Sequence, residues 1–541
     1  MERFVRAARP AEDASLNQFH QGQPVLVCGT RGGDPRKRPD PRCRRRLACY
    51  ERARPHRPAL SPNEPTIAAD PLNASDLIAG ANDEQLQPPC GPGPVRGPDA
   101  AASDCSFFPN VGTDGAYTSA DGGKTWTNRG LLPGFSDNGG SLVSDGDPVI
   151  VFGPAQGRNG EFSWSNGSVA YYGSLASFAS GQSRTAPEMI TVSRSRDDGL
   201  HWTGPVVAAN GHGFIFNDKP DIWVDRNASS PFFGRVYVTW TQFRDIPSCA
   251  EPIMFTESAD GGNTWSVPSQ LSTAHNCGLG GRQSSVVRTG PDGTVYVEWE
   301  DSDQQGPDQV IAASADGGVS FSHATKIAHV TDIADPIPGA NFRTDSFPSV
   351  AVNQTTGTVY VSWSDASAGA GRIEVSAGTN HGTSWTAPKA VSAAAQGYAF
   401  FQGLDVAPNG RIDAGFQALT AKDPSTYGTG NATFNSYYVE SSDGGVSWSA
   451  PVRVTTAGSD PAASAQNDLT RQFWGDYNTL VSTNSNAWFI YTDSRNGVGC
   501  PAVDAYQHSV DAGSPITKPA PENVCASQFG NSDVFVSTIT P

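Results

Sequence analysis

Apolar residues in this chain are gathered into short runs separated by turns rich in Gly, Pro, Asp and Ser, and two kinds of run recur. The first begins near a Pro, as in EPTIAAD (64–70), DPVIVFG (147–153), KPDIWVD (219–225) and FPSVAVN (347–353). The second has the form Gly-x-Val-Tyr-Val-x-Trp, as in GRVYVTW (234–240), GTVYVEW (293–299) and GTVYVSW (357–363). Runs of this length between turn residues predict short β-strands.

A third repeated element is an eight-residue segment of the form Ser-x-Asp-x-Gly-x-Thr/Ser-Trp. Its six copies are SADGGKTW (119–126), SRDDGLHW (195–202), SADGGNTW (258–265), SADGGVSF (314–321), the degraded GTNHGTSW (378–385) and SSDGGVSW (441–448). The Asp carboxylate can accept backbone N–H bonds across its own turn, and Gly supplies the positive φ that closes the turn. We therefore predict six hairpin turns, each followed by an aromatic ring that packs between sheets.

Together these elements predict units of four strands joined by hairpins. A single sheet of this kind cannot bury both faces, and radial repetition of such sheets into a β-propeller solves that problem. Six units carry the eight-residue segment, and three further runs without it follow at 476–483, 486–493 and 532–539. We predict an all-β propeller of seven blades, the last closed by an N-terminal strand for which QPVLVC (23–28) is the candidate. Six blades with an appended strand set are the alternative.

Charge is distributed unevenly along the chain and excludes one class of partner. Of the 37 Lys and Arg and the 54 Asp and Glu, the first 60 residues hold 14 and 6, which leaves 23 and 48 for the rest. An acidic body of this kind argues against nucleic-acid binding, which needs cations on the contact face. No apolar run approaches the roughly 18 residues of a transmembrane helix, so we expect no membrane span.

The first 60 residues differ from the remainder in composition and have no periodicity. We interpret residues 1–60 as a disordered basic segment or a mis-assigned start, with a basic arm as the functional alternative. Residues 61–541 are predicted to form the propeller. The first 20 residues lack the apolar core of a secretory signal.

The nine cysteines suggest an oxidising compartment. Three lie in the basic segment, and the other six form sequence-near pairs: Cys90 with Cys105, Cys249 with Cys277, and Cys500 with Cys525. Each pair brackets a polar or Pro/Gly-rich loop, which favours disulfides in a secreted or cell-surface protein over buried thiols. Zinc-binding spacings are absent from the sequence, and we expect neither a metal nor a cofactor.

The six turn segments resemble the Asp-box (BNR) repeats of the sialidase superfamily. Residues 61–541 as a whole resemble the secreted bacterial sialidase-like proteins. In that family the boxes lie on turns at the blade periphery, away from the active site. The resemblance therefore implies that Asp121, Asp260, Asp316 and Asp443 are parts of the scaffold.

Candidate chemistry lies where the innermost strands begin, because these ends meet at the mouth of the central channel. The residues aligned before the strand prolines are Glu64, Asp147, Lys219, Gln283 and Phe347, and Tyr477 occupies the same place in YNTL. Three arginines (Arg282, Arg343 and Arg471) and three acids (Asp218, Asp345 and Asp476) lie within a few residues of these positions.

By resemblance to sialidases, three arginines would clamp a substrate carboxylate and a Tyr would be the nucleophile. These roles would fall to Arg282, Arg343 and Arg471, and to Tyr477. An acidic partner for Tyr477 would come from Glu64, Asp147, Asp345 or Asp476, with Asp147 also the candidate acid/base. The Arg-Ile-Pro of the first sialidase blade is absent, however, and NEPTIAAD (63–70) stands in its place. The alternative is that the arginines form structural salt bridges between blades.

Two functional hypotheses follow. One is a sialidase-like, retaining exo-glycosidase that acts on terminal sialic acid or a related acidic sugar. The other is a non-catalytic secreted propeller that binds a glycan or a protein at its channel mouth. In either case we expect a monomer. An endo-glucanase-like propeller is a third option and would need two channel carboxylates at glycosidase spacing.

Overall fold

The structure is a computed structural model of the 541-residue chain. It describes the backbone of 2–5, 25–29 and 48–52, and then most of the chain from residue 62. The later described ranges are 62–83, 112–134, 142–178, 188–211, 215–244, 250–273, 281–303, 306–466, 469–530 and 532–541. All strand pairings in these ranges are antiparallel.

Three short strands lie within the N-terminal 60 residues: β1 (Glu2–Val5), β2 (Val25–Gly29) and β3 (Ala48–Arg52). Strands β2 and β3 pair with each other as a separate two-stranded sheet. The other residues of this segment lie outside the described ranges, so the interpretations of residues 1–60 as disordered or mis-assigned stay predictions.

The remaining strands form consecutive four-stranded blades. The first three blades contain β4 (Asn63–Asp70), β5 (Asn73–Asn82), β6 (Asp114–Ser119) and β7 (Thr127–Leu131); β8 (Leu142–Gln156), β9 (Phe162–Phe178), β10 (Met189–Ser195) and β11 (Val206–Ala209); and β12 (Ile215–Val224), β13 (Val236–Arg244), β14 (Ile253–Ser258) and β15 (Ser269–Gln270).

Blades 4 to 7 follow in the same order, and the outer strand of blade 5 is split into two short pieces. They contain β16 (Arg282–Thr289), β17 (Val295–Asp303), β18 (Gly306–Ser314) and β19 (Thr325–His329); β20 (Ser349–Val352), β21 (Val359–Asp365), β22 (Arg372–Thr379), β23 (Ser384–Trp385) and β24 (Lys389–Ala390); β25 (Tyr398–Val406), β26 (Ile412–Ala421), β27 (Ala432–Ser441) and β28 (Val452–Arg453); and β29 (Thr479–Ser482), β30 (Ala487–Asp493) and β31 (Asp533–Ile539). The helices are α1 (Pro501–Asp511), α2 (Pro521–Val524) and two single 3₁₀ turns, Ala394–Gln396 and Pro461–Ala463.

The sheets form a seven-bladed β-propeller, which confirms the predicted fold and excludes the six-blade alternative. Blades 1 to 6 run from the innermost to the outermost strand in chain order. Blade 7 takes its outer strand from the N-terminus, as predicted, but that strand is β1 rather than the candidate at 23–28. β1 pairs with β31 in the register Glu2↔Ser537 to Val5↔Val534, whereas β2 pairs only with β3.

The predicted hairpin turns join the third and fourth strands of blades 1 to 6. In the first, Ser119 Oγ donates to Asp121 Oδ1 at 2.9 Å, and the backbone N–H and hydroxyl of Thr125 donate to the two Asp121 oxygens at 2.9 and 2.7 Å. The same bonds recur around Asp197, Asp260, Asp316 and Asp443, so these Asp residues bind their own turns as expected. Because the strands alternate in direction, the turns lie at the opposite end of each blade from the start of its innermost strand.

The apolar core is divided among the contacts between consecutive blades. Each of the seven neighbouring pairs, including blades 7 and 1, shares a cluster of buried side chains in the described part of the chain. The Trp residues that follow the Val-Tyr-Val runs lie at the centre, since Trp240, Trp299 and Trp363 are at most 1% exposed.

The aromatic residues of the turns pack between the blades, as predicted, at the margin of the core. Trp126, Trp202, Trp265, Trp385 and Trp448 pack against the interblade clusters but are only half-buried. Each follows a surface turn at the end of a blade, so its ring covers the edge of the core rather than filling it.

A disulfide joins Cys500 and Cys525, with an S–S distance of 2.03 Å, and staples the insertion between β30 and β31 that contains α1 and α2. The other cysteines expected to pair (Cys90, Cys105, Cys249 and Cys277) lie outside the described residues. In the described part of the chain, none of the helices is long and apolar enough to cross a membrane.

Two tryptophans of blade 3 give a paired test of the packing. Trp240→Ala should cost about 3–5 kcal/mol, because it removes a fully buried ring and leaves Asn217 Oδ1 without its 2.8 Å hydrogen bond from the indole. Trp265→Ala should cost clearly less, because that ring is half-exposed. Urea unfolding of both variants measures the difference, and an equal loss would contradict the assigned burial.

Candidate functional site

The innermost strands of all seven blades line one central cavity. These strands are β4, β8, β12, β16, β20, β25 and β29. Their first residues meet at one face of the ring, which we call the mouth, and the hairpin turns described above lie at the other face. Functional side chains predicted before the strand prolines are therefore brought to a common entrance by the topology.

A β-bulge interrupts the innermost strand of five blades close to the mouth. The first bulged residue in each has a left-handed backbone although it is not Gly, with φ between 48° and 55°: Glu64, Asp147, Lys219, Ser284 and Phe401. Such a conformation costs on the order of 1–3 kcal/mol for each non-Gly residue and is a feature of functional sites. The bulge in blade 4 is at Ser284, so the predicted alignment of Gln283 with this position is off by one residue.

Three carboxyl groups form a hydrogen-bonded cluster at the mouth, which we call the carboxyl cluster: Glu64, Asp147 and Asp218. Asp147 lies within hydrogen-bonding distance of both Glu64 and Asp218. Glu64 is 2% exposed, and its Oε2 accepts from Asn82 Nδ2 at 2.7 Å. Because carboxylates this close repel each other, the cluster must hold protons at neutral pH.

Burial dominates the electrostatics of this cluster. It raises the pKa of Glu64 well above its usual range, and the negative charge of Asp147 adds to the effect. Burial, followed by the neighbouring Asp147, also raises the pKa of Asp218 to about 8. Asp218 is only half-buried, so it can present a proton to a molecule at the mouth.

Arg343 is the cation at this cluster. Its Nε and Nη2 donate to the two carboxylate oxygens of Asp476 at 2.6 and 2.7 Å, and Nη2 lies 3.7 Å from Glu64 Oε1. The guanidinium also lies 5.2 Å from the ring centroid of Phe473. This two-pronged ion pair joins the connection before blade 5 to the start of blade 7, and the Arg343 side chain remains 46% exposed.

The other two predicted arginines form ion pairs of their own. Arg282 Nε lies 3.0 Å from Asp301 on the neighbouring strand of blade 4, and Arg471 Nη1 lies 3.6 Å from Asp335. Thus Arg343 lies against the carboxyl cluster, whereas Arg282 and Arg471 are paired with carboxylates outside it. The substrate-binding roles of the three arginines stay predictions.

Tyr477 lies in the cavity beneath a lysine. The Lys219 ammonium is 3.9 Å from the Tyr477 ring centroid and 4.8 Å from that of Phe347, and its Nζ is buried without a hydrogen-bond partner. The Tyr477 hydroxyl is also buried and finds no partner among the described residues, so the expected acidic hydrogen bond is not observed. Burial, with the charges of Asp147 and Glu64, raises the pKa of this phenol well above its usual range.

The disulfide-linked insertion between β30 and β31 of blade 7 forms one side of the mouth. Its helix α1 contacts the loop between β26 and β27, where Thr429 N donates to Asp504 Oδ2 at 2.9 Å and the Tyr427 hydroxyl bonds to Asp511. The rings of Tyr427 and His508 stack at 4.1 Å between centroids. Both elements connect strands at the mouth face, so the entrance is deeper on the side of blades 6 and 7.

The sequence analysis predicted that several of these residues lie at the mouth but assigned them no role. Asp218 and Lys219 were placed there, but their burial and contacts depend on neighbouring blades. Ser284, Phe401 and Asn82 were missed. Ser284 and Phe401 were missed because blades 4 and 6 have no Pro after the bulged residue, and that Pro was the signal used for alignment. Asn82 was missed because it contacts Glu64 from the second strand of blade 1.

Neither the family models nor the curated proteins include a match to this chain. Among solved structures, it is similar to the GH93 α-L-arabinofuranosidase of Fusarium graminearum (11% identity, 90% of this chain and 96% of that chain, TM-score 0.43). It is also similar to a Dyadobacter fermentans protein of unknown function (12%, 74% and 99%, TM-score 0.41) and to a Hadza microbial sialidase (17%, 73% and 72%, TM-score 0.38).

The carboxyl cluster predicts an unusual pH dependence of stability. Below about pH 4 both folded and unfolded chains hold the Asp218 proton, whereas between about pH 4 and 8 only the folded chain does. The free energy of unfolding should therefore fall as pH rises through this window and level off above pH 8. Asp218→Asn should reduce the slope, as measured by urea unfolding from pH 4 to 8.

Asp443→Asn is the matched control for this experiment. Hydrogen bonds from Ser447 lower the pKa of Asp443 to about 2, so its titration affects stability only below about pH 4. The control should keep the slope of the unaltered protein between pH 5 and 8. Identical slopes for Asp218→Asn and the unaltered protein would contradict the assigned protonation.

Proposed function

We propose that this protein is a glycoside hydrolase whose reaction is carried out by carboxyl groups at the channel mouth. The observation that carries the proposal is the carboxyl cluster at the entrance of the cavity, where burial and then Asp147 raise the pKa of Asp218 to about 8. Glycoside hydrolysis requires such a proton donor together with an ionised carboxylate. Both kinds of group lie at this entrance.

In this proposal Asp218 donates its proton to the glycosidic oxygen. Asp476 is the opposing carboxylate, and the two hydrogen bonds from Arg343 hold it in position at the same entrance. The charge of Asp476 contributes to the raised pKa of Asp218, so the two groups interact across the mouth. Asp147 and Glu64 position the donor, since Asp147 contacts both other members of the carboxyl cluster.

A neutral glycan fits this mouth better than an acidic one. A substrate carboxylate would have to displace Asp476 from Arg343 and would meet the other acidic side chains of the cluster. Arg282 and Arg471 are already paired with Asp301 and Asp335. The charges therefore favour an uncharged sugar at the position of hydrolysis.

A sialidase-type reaction on a terminal acidic sugar is the second candidate. It is supported by the exposed part of the Arg343 guanidinium at the mouth and by Tyr477, which lines the central cavity. In that case Tyr477 would be the nucleophile, and Glu64 or Asp476 would take its proton. A rearrangement would first have to bring that carboxylate into hydrogen-bonding distance of the Tyr477 hydroxyl.

We also propose that the protein works outside the reducing cytosol. The Cys500–Cys525 disulfide supports a secreted or cell-surface location, because such bonds persist in oxidising compartments.

A panel of fluorogenic glycosides tests both candidates on one protein. The panel includes an α-L-arabinofuranoside, neutral hexosides and an α-sialoside. We expect hydrolysis of a neutral glycoside, a loss of about 100-fold or more in kcat for Asp218→Asn, and a much smaller loss for Tyr477→Phe. Asp443→Asn, which removes a carboxylate at the far face, is the control and should keep full activity.

The other outcomes separate the hypotheses. Hydrolysis of the sialoside with a large loss in Tyr477→Phe would replace the carboxyl mechanism with the sialidase-type one. If the folded protein binds glycans on an array but hydrolyses no member of the panel, the non-catalytic propeller takes the place of the enzyme. The anomer released, followed by proton NMR, shows whether Asp476 attacks the sugar or activates a water molecule.

A further inference from the structure

A second acidic group lies between blades 4 and 5, apart from the carboxyl cluster. It consists of Glu300 on β17 and of Asp332 and Asp345 on the connection from β19 to β20. One carboxylate oxygen from each residue lies within 4.8 Å of the other two. We call this group the junction triad.

The junction triad is only partly neutralised by the described part of the chain. Lys219 is a positive neighbour of Asp345 and His329 is one of Asp332, but none of the three carboxylates forms an ion pair with a described Lys, Arg or His. Glu300 is 6% exposed, and its buried Oε2 has no hydrogen-bond partner. Leaving a buried carboxylate oxygen without a partner is costly, so the group must either hold protons, as the carboxyl cluster does, or bind a ligand that supplies positive charge.

The amide of Gln309 lies beside Glu300. Gln309 on the adjacent strand β18 is fully buried, and its amide group donates toward the Glu300 carboxyl. Its Nε2 also donates to Ser346 O at 2.9 Å, whereas its Oε1 is buried without a partner. The unpartnered oxygen within the triad itself is therefore Glu300 Oε2.

We propose that the junction triad is a binding site for a divalent cation, specifically Ca²⁺. The candidate ligands are all oxygens, which hard cations prefer, whereas zinc favours His and Cys. All three lie within 4.8 Å of one another, a limit about twice a Ca–O distance of roughly 2.3–2.6 Å, so one ion can touch all three. Asp332 is exposed, which leaves room for water to complete the coordination shell.

Binding of the ion would hold the connection before blade 5 in place. Asp332 and Asp345 lie near its two ends, Glu300 anchors it to blade 4, and Arg343 precedes Asp345 by two residues. The cation would therefore stabilise the segment that presents Arg343 to the mouth. This site does not depend on the proposed glycoside hydrolysis.

Calcium binding can be measured without an activity assay. The full chain is treated with a chelator and dialysed, and thermal unfolding and calorimetric titration are then followed with Ca²⁺ and separately with Mg²⁺. We expect Ca²⁺ to raise the melting temperature, because it binds the folded state. Glu300→Gln should weaken Ca²⁺ binding by roughly tenfold or more, because it removes one of three charged ligands.

Two further variants keep the result interpretable. Asp332→Asn changes an exposed residue, so it should weaken binding even if Glu300→Gln fails to fold. Asp443→Asn removes a carboxylate from a turn of blade 6, outside the triad, so it should keep the Ca²⁺ response. The proposal is overturned if Ca²⁺ neither binds nor shifts the melting temperature, if Mg²⁺ binds in preference, or if all variants respond like the unaltered protein.

Discussion

Burial of both faces of each blade against its neighbours is the constraint on which the structure depends. A four-stranded sheet has two apolar faces and no partner of its own, so each blade is stable only when the blades on both sides are in place. The last junction, between blades 7 and 1, completes this condition. There Trp488 and Ile490 of β30 pack with Ile67 and Leu77 of blade 1, and Ile67 N donates to Thr479 Oγ1 at 3.0 Å.

Closure of the ring also explains where polar residues can be strained and crowded. The innermost strands are held on one side by their own blade and on both flanks by other blades. Bulges with left-handed backbone at Glu64, Asp147 and Lys219 persist because this packing compensates for their conformational cost. Burial, and then the crowding of carboxyl groups at the mouth, raise the pKa of Glu64 and Asp218. The Arg343–Asp476 ion pair spans the same entrance.

The same geometry separates scaffold from chemistry. The turn Asp residues are satisfied locally by N–H and O–H groups within five residues, which lowers the pKa of Asp316 and Asp443 to about 2 and leaves little for a substrate to bind. The acids at the mouth are satisfied by groups from other blades. A carboxyl whose protonation depends on distant neighbours can be adjusted for proton transfer, whereas one enclosed by its own turn serves to close a hairpin.

By itself the sequence determined the repeated unit, a propeller of seven blades in preference to six, the hairpin turns and the face at which Glu64, Asp147, Asp218, Arg343 and Tyr477 meet. These features depend on turn residues and on recurring strand motifs, both of which can be recognised in short segments of the sequence. Only the tertiary structure decided which strand closes blade 7, where the blade 4 bulge falls, which acid pairs with each arginine, and that the Tyr477 hydroxyl has no partner. Those outcomes depend on distances between blades far apart in the chain, and no local pattern encodes them.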